Sequence, residues 1–200
     1  MFPLISQGFV EQDNPHDTYV MPPLREWDIA ALEEACGGTP FPAGRLQKLD
    51  RAGLLGFSST DDIVVAPSGD DESSAEEGVT SEGNPRGGVV LSRAVGIDPA
   101  VFQALRALVS SDQEWEDAGE AIGNFAAEVS PVNEQKAKIA ARTGIQMELA
   151  KKATTLEEDR ELLKRLRSSN SALQEPEERM AIMFRIEKKK LLKETLDRLQ

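Results

Sequence analysis

The chain has little of what catalytic and membrane proteins are usually built from. One cysteine, Cys36, and one histidine, His16, occur in 200 residues. A single cysteine closes no internal disulfide, which suits a reducing, intracellular compartment. One residue of each kind makes no zinc-ligand cluster, no Cys-His pair and no Ser-His-Asp triad. Cys36 follows a helical run between Ala35 and Gly37 and reads as inert packing. His16, set among Asn14, Pro15 and Asp17, reads as a loop residue and not as a general base. No apolar run approaches the ~20 residues that span a bilayer, and "MFPLISQGFV" lacks the length and basic flank of a secretory signal. Excess positive charge is missing too. Lys plus Arg number 23 against 35 Asp plus Glu, a net charge of -12, which argues against the basic surface that nucleic-acid phosphates require. Basic partners fit such a chain better.

The acid is unevenly placed. Residues 1–147 hold 24 acidic and 10 basic side chains, whereas residues 148–200 hold 11 and 13. Much of the excess lies in 67–88, where Asp70, Asp71, Glu72, Glu76, Glu77 and Glu82 stand among Ser and Gly with almost nothing apolar to offset the entropy of ordering. A disordered acidic insert is expected there, a solvated loop rather than a lure for a metal or a basic partner. Short β-branched runs at 63–65 and 89–91 bracket it and suggest a strand pair; 4–10 and 18–22 suggest further extended pieces.

The remainder reads as helix. Asp28 is placed to cap a short helix that Gly37 ends, and Leu46, Leu49 and Leu54 stripe a second. Asp98-Pro99 opens a helix with Phe102, Leu105, Leu108 and Val109 on one face. The spacing of Trp115, Ala118, Ile122, Phe125 and Val129 predicts one continuous helix, and Ser130-Pro131 another running to Lys152 with a bend at Gly144. Thr154 with Glu157 matches a capping box ahead of Leu156, Leu163 and Leu166. The last helix carries Pro176 near its start, then Met180, Phe184, Ile186, Leu191, Leu192, Leu196 and Leu199. Its Lys188–Lys190 run, flanked by Glu187 and Glu194, reads as a solvated face and not as a phosphate patch. "GGTPFPAGR" lacks both the preceding strand and the Gly-Lys-Ser/Thr ending of a phosphate loop. Trp27 and Trp115 fit core positions. No nucleophile, base or acid pair is set apart, so the residues describe a helical binding domain.

Four stretches carry a resemblance. "LISQGFVEQDNPHDTYVMP" resembles the stretch with which SET-domain lysine methyltransferases of the Rubisco large-subunit methyltransferase type leave their catalytic domain. "ATTLEEDRELLKRL" and "ERMAIMFRIEKKKLLKETL" resemble two helices of that family's C-terminal domain, and "DPAVFQALRALVS" resembles a third more loosely. The resemblance implies a mainly α, elongated multi-helix substrate-binding lobe with a few short strands over 23–200, preceded at 1–22 by the last edge of a SET domain. It implies the substrate-recognition part of a protein-lysine N-methyltransferase, in a chain without its own catalytic site. S-adenosylmethionine belongs to the full-length parent family and not to this chain. The partner implied is a protein with an exposed lysine, basic in character, with no nucleic acid and no membrane. The compartment reads equally as chloroplast, cytoplasm or nucleus.

Where the family writes Tyr-Gly-Phe, this chain has Gln7-Gly8-Phe9. Phe9 carries over as a wall of the lysine channel, where an aromatic face attracts an ammonium by ~0.5–2 kcal/mol. Gln7 takes the place of the tyrosine and supplies no ring. From another class, a free-standing adaptor or oligomerisation module would pair its last helix through Leu191, Leu192, Leu196 and Leu199.

Overall fold

A computed structural model of the chain describes residues 13–14, 16–55, 88–119, 121–168 and 176–200. The fold is mainly α, with one small sheet. Three antiparallel strands make that sheet: β1 (Thr18–Met21), β2 (Val89–Ser92) and β3 (Gly96–Ile97), in the order β1-β2-β3. The strand pair expected between 63–65 and 89–91 is corrected here. Val89–Ser92 pairs instead with Thr18–Met21, Tyr19 facing Leu91, and its other edge is taken by Gly96–Ile97. Residues 63–65, and the acidic insert up to Gly87, lie outside the described residues. β1 lies within the stretch 1–22 expected as the last edge of a SET domain; it forms one edge of the sheet, and its Met21 lies in the main apolar cluster.

Helix α1 (Ile29–Ala35) starts where Asp28 accepts from the Ala31 N–H at 3.1 Å, and α2 is Ala43–Arg51. α3 (Pro99–Val109) starts as its sequence indicates, with Asp98 accepting from the Ala100 N–H at 2.8 Å and proline in the first turn. The single helix expected from Trp115 to Val129 is two pieces. α4 (Asp112–Asp117) ends at Gly119, whose φ of +61° is a left-handed conformation costly to other residues, and a 3-10 turn follows at Ile122–Phe125. The apolar spacing is nonetheless used, because Trp115 stacks on Phe125 with ring centroids 5.4 Å apart.

α5 (Pro131–Ala150) runs without interruption through Gly144. The glycine marks a close contact: a Cβ there would lie 2.0 Å from Trp27 Cζ3. The Trp27 ring lies flush on the α5 backbone, held by its Nε1–H donating to the Pro22 carbonyl at 3.0 Å. α6 (Leu156–Ser168) and α7 (Pro176–Arg198) complete the chain. The capping box of α6 stands one residue later than its sequence suggests. Thr155 and Glu158 exchange the reciprocal bonds, Glu158 N–H to Thr155 Oγ1 at 3.1 Å and Thr155 N–H to Glu158 Oε2 at 2.7 Å.

Two apolar clusters result. The main one gathers Leu24, Trp27, Leu49, Leu91, Leu105, Leu108, Phe125, Ile145 and Leu192 from every layer of the fold. At roughly 1.5–3 kcal/mol for each large side chain, it is the dominant favourable contribution. The second joins Leu156 and Leu163 of α6 to Ile182 and Ile186 of α7. α7 therefore belongs to both clusters: its first half packs on α6, and its second half reaches the main core. Among the described residues no helix is long and apolar enough to cross a membrane.

Candidate functional site

Lys188, Lys189 and Lys190 follow one another on α7, so their side chains leave the helix about 100° apart and meet three different surroundings. Lys188 Nζ bonds Asp17 and the Thr18 carbonyl, the latter at 2.7 Å, and so holds the start of β1. Lys189, 4% exposed, donates to Asp159 Oδ2 at 2.6 Å and to Thr154 Oγ1 at 2.7 Å, pinning the start of α6. Lys190 donates to Glu187 at 2.9 Å. Glu187 is itself buried and pairs with Arg93 from the turn after β2 at 3.3 Å. The run is therefore neither a phosphate patch nor a solvated face. It is an internal ionic junction between α7, the sheet and α6.

Along this junction, β1, the turn after α5 and one face of α7 enclose a groove of about 240 Å³. Its apolar wall comes from Phe184, Ala153, Leu192 and the Tyr19 ring. Tyr19 Oη donates to Glu148 Oε1 at 2.5 Å, and Lys152 Nζ bonds the same carboxylate at 2.6 Å and the Tyr19 oxygen. Burial raises the Tyr19 phenol above its ordinary value, and its bond to Glu148 adds to the rise. Burial opposes the charge of Glu148, but hydrogen bonds from Lys152 and Tyr19 outweigh it and hold the carboxyl low. Lys152 is likewise penalised by burial, yet its bonds to Glu148 and Tyr19 raise it. The three groups thus form a fixed neutral-phenol and ion-pair unit at the groove edge.

On the other side, Arg185 donates to Asp159 Oδ1 at 3.0 Å, so one buried carboxylate serves both Arg185 and Lys189. Burial pushes Asp159 up, but hydrogen bonds from Lys189, Thr154 and Arg185 overcome it, leaving the carboxyl below its usual range. Phe184 stands 53% exposed at the mouth, with Lys188 Nζ 4.9 Å from its ring centroid. A depression of about 370 Å³ lies beside Cys36, but Arg45 there is already bonded to Asp112 at 2.6 Å. Burial raises the Cys36 thiol, in keeping with inert packing. Among the described residues no three metal-ligating side chains converge.

The model of the Rubisco LSMT substrate-binding family matches residues 43–192. The chain belongs to that family. No curated protein and no solved structure matches the chain. The family match covers α2 through most of α7, and hence the Lys152, Phe184, Arg185 and Leu192 side of the groove; Tyr19 reaches it from outside the matched span.

The two residues assigned by resemblance, Phe9 and Gln7, lie outside the described residues. His16 is exposed in a turn, its N–H donating to Asn14 Oδ1 at 2.9 Å. Of the groove residues, Tyr19, Lys152, Ala153 and Arg185 are not singled out by the sequence. Glu148 and Lys152 carry a legible i,i+4 signal, but their partner Tyr19 is 129 positions from Glu148, and nothing local marks Phe184 as exposed.

Proposed function

We propose that this chain is the substrate-recognition part of a protein-lysine N-methyltransferase, and that the groove between β1 and α7 docks a segment of the protein to be methylated. Family membership supports the general role. The groove supports the position, because a half-exposed phenylalanine beside an apolar wall, framed by a rigid ionic network, is a preformed surface for a side chain from a partner. Methyl transfer would belong to the SET domain of the parent family.

S-adenosylmethionine does not fit this groove. No carboxylate lines it, and those behind its cations, Asp17, Glu148 and Asp159, are committed to Lys188, Lys152, Lys189 and Arg185, which leaves none for a sulfonium or for ribose hydroxyls. The leucines of an oligomerisation module are likewise committed: Leu191, Leu192 and Leu199 are buried, and Leu196 packs on the main core.

The test is binding of short, fluorescently labelled lysine-containing peptides to the whole chain, followed by polarisation. Peptides that bind should weaken about tenfold with Phe184→Ala, a loss of ~1.4 kcal/mol. Binding that ignores Phe184→Ala places the docking surface elsewhere and overturns the groove assignment.

A further inference from the structure

We infer that the groove selects a segment in which an acidic residue adjoins an apolar one. This rests on the reading that the groove docks a protein segment, and it sets the sign of the partner opposite to what the net charge of -12 suggests. Four cations and three carboxylates surround the groove. Lys152 has Glu148 and Lys188 has Asp17, each a matched pair. Of the four groove cations, the remaining two share Asp159. Lys189, deeply buried, holds Oδ2 at the shorter distance of 2.6 Å, whereas Arg185, with 45% of its side chain exposed, reaches Oδ1 at 3.0 Å. The surplus positive charge therefore sits on the Arg185 guanidinium. Among the described residues Asp159 is its one partner, through a single nitrogen, which leaves the other donors of a planar fork that matches an incoming carboxylate.

The neighbouring residue supplies the second half of the motif. Phe184 precedes Arg185 and is 53% exposed, and Met180, one turn earlier on the same face of α7, is 40% exposed. Apolar surface next to a fork-shaped cation suits an apolar side chain followed or preceded by Asp or Glu. A lysine is disfavoured here. Lys152 Nζ already lies 5.0 Å from the Tyr19 centroid, and Lys188 Nζ lies 4.9 Å from that of Phe184, so both aromatic rings hold an ammonium of the chain itself. The target lysine of the substrate must then lie elsewhere along the segment.

The test uses capped peptides with a central Leu or Phe whose neighbours are Asp or Glu, Ser, or Lys or Arg, titrated against the whole chain by fluorescence polarisation. Acidic neighbours should bind about tenfold tighter than serine, and basic neighbours more weakly than serine. Arg185→Gln should abolish the acidic preference, Arg185→Glu should turn it to the basic peptides, and Phe184→Ala should weaken all three classes. Circular dichroism reports whether these variants remain folded. In the unmodified protein the acidic preference should shrink as salt is raised, a readout that needs no variant. Binding that is indifferent to the neighbours, or that prefers basic ones, overturns this inference while leaving the docking role in place. Failure of every peptide class to bind overturns both.

Discussion

Asp159 is the residue on which the junction of α6 and α7 depends most. Its side chain is fully buried and accepts from Lys189 Nζ at 2.6 Å, Thr154 Oγ1 at 2.9 Å and Arg185 at 3.0 Å. Asp159→Ala leaves Arg185 free to turn into water, at a cost of ~0–1 kcal/mol for a half-exposed pair. Lys189 has no such escape. Its 4% exposure leaves a buried ammonium without a counter-charge, and removing one partner of a buried pair costs ~3–5 kcal/mol. At ~2–4 °C per kcal/mol for a chain of this size, the melting temperature should fall by roughly 6–20 °C. Asp159→Leu combined with Lys189→Met removes both charges and should recover most of the loss, since an apolar replacement of a buried pair is often neutral. Thermal and urea unfolding followed by circular dichroism measure each variant. A loss below ~1 kcal/mol for Asp159→Ala, or a double variant no more stable than the single one, would refute the reasoning. The pH dependence has a fixed sign. Because the folded carboxyl titrates below its unfolded value of about 3.9, its contribution is complete above that value and is lost as pH falls through the lower folded one. Asp159→Asn should flatten this acid limb.

Three further outcomes follow from the geometry. Gly144→Ala should destabilise the protein by ~1–3 kcal/mol although alanine is the better helix former, because its Cβ would enter the Trp27 ring; Trp27→Leu should partly rescue it in thermal melts. Thr155→Ala should cost ~1 kcal/mol through the lost cap, whereas Glu157→Gln, on the residue expected to complete the cap, should leave stability nearly unchanged in the same melts. Tyr19 is the only tyrosine, so ultraviolet titration reports it alone; its midpoint should lie above the free phenol's value of about 10 and move down with Glu148→Gln. The contribution of the protonated phenol to stability is present below its unfolded value and is lost as pH rises through the folded one. A midpoint at or below that of a free phenol would show that the Tyr19–Glu148–Lys152 unit does not form in solution.

Local chemistry made much of the fold legible from sequence. Asp28, Asp98 and Ser130 cap the helices they precede, because a side-chain oxygen two or three residues ahead of an unpaired N–H acts through neighbours in the chain alone. The same locality explains the errors. Thr154 and Thr155 offer equivalent hydroxyls to the start of α6, and the choice falls on Thr155 because Asp159 and Lys189, 30 positions apart, engage the Thr154 hydroxyl. The helix expected through Trp115 and Phe125 breaks because apolar spacing is satisfied equally well by two short pieces once Gly119 takes a left-handed conformation.

The sequence by itself determined a mainly helical chain, the starts of most helices, and a resemblance to the family to which it belongs. Those properties depend on composition or on residues a few positions apart. Tertiary structure alone decided that Gly144 receives a tryptophan ring, that three consecutive lysines serve three separate partners, and that Phe184 and Arg185 stand open beside Tyr19. Each of these is a balance of burial against charge between segments distant in sequence, which has no value until the chain brings them together.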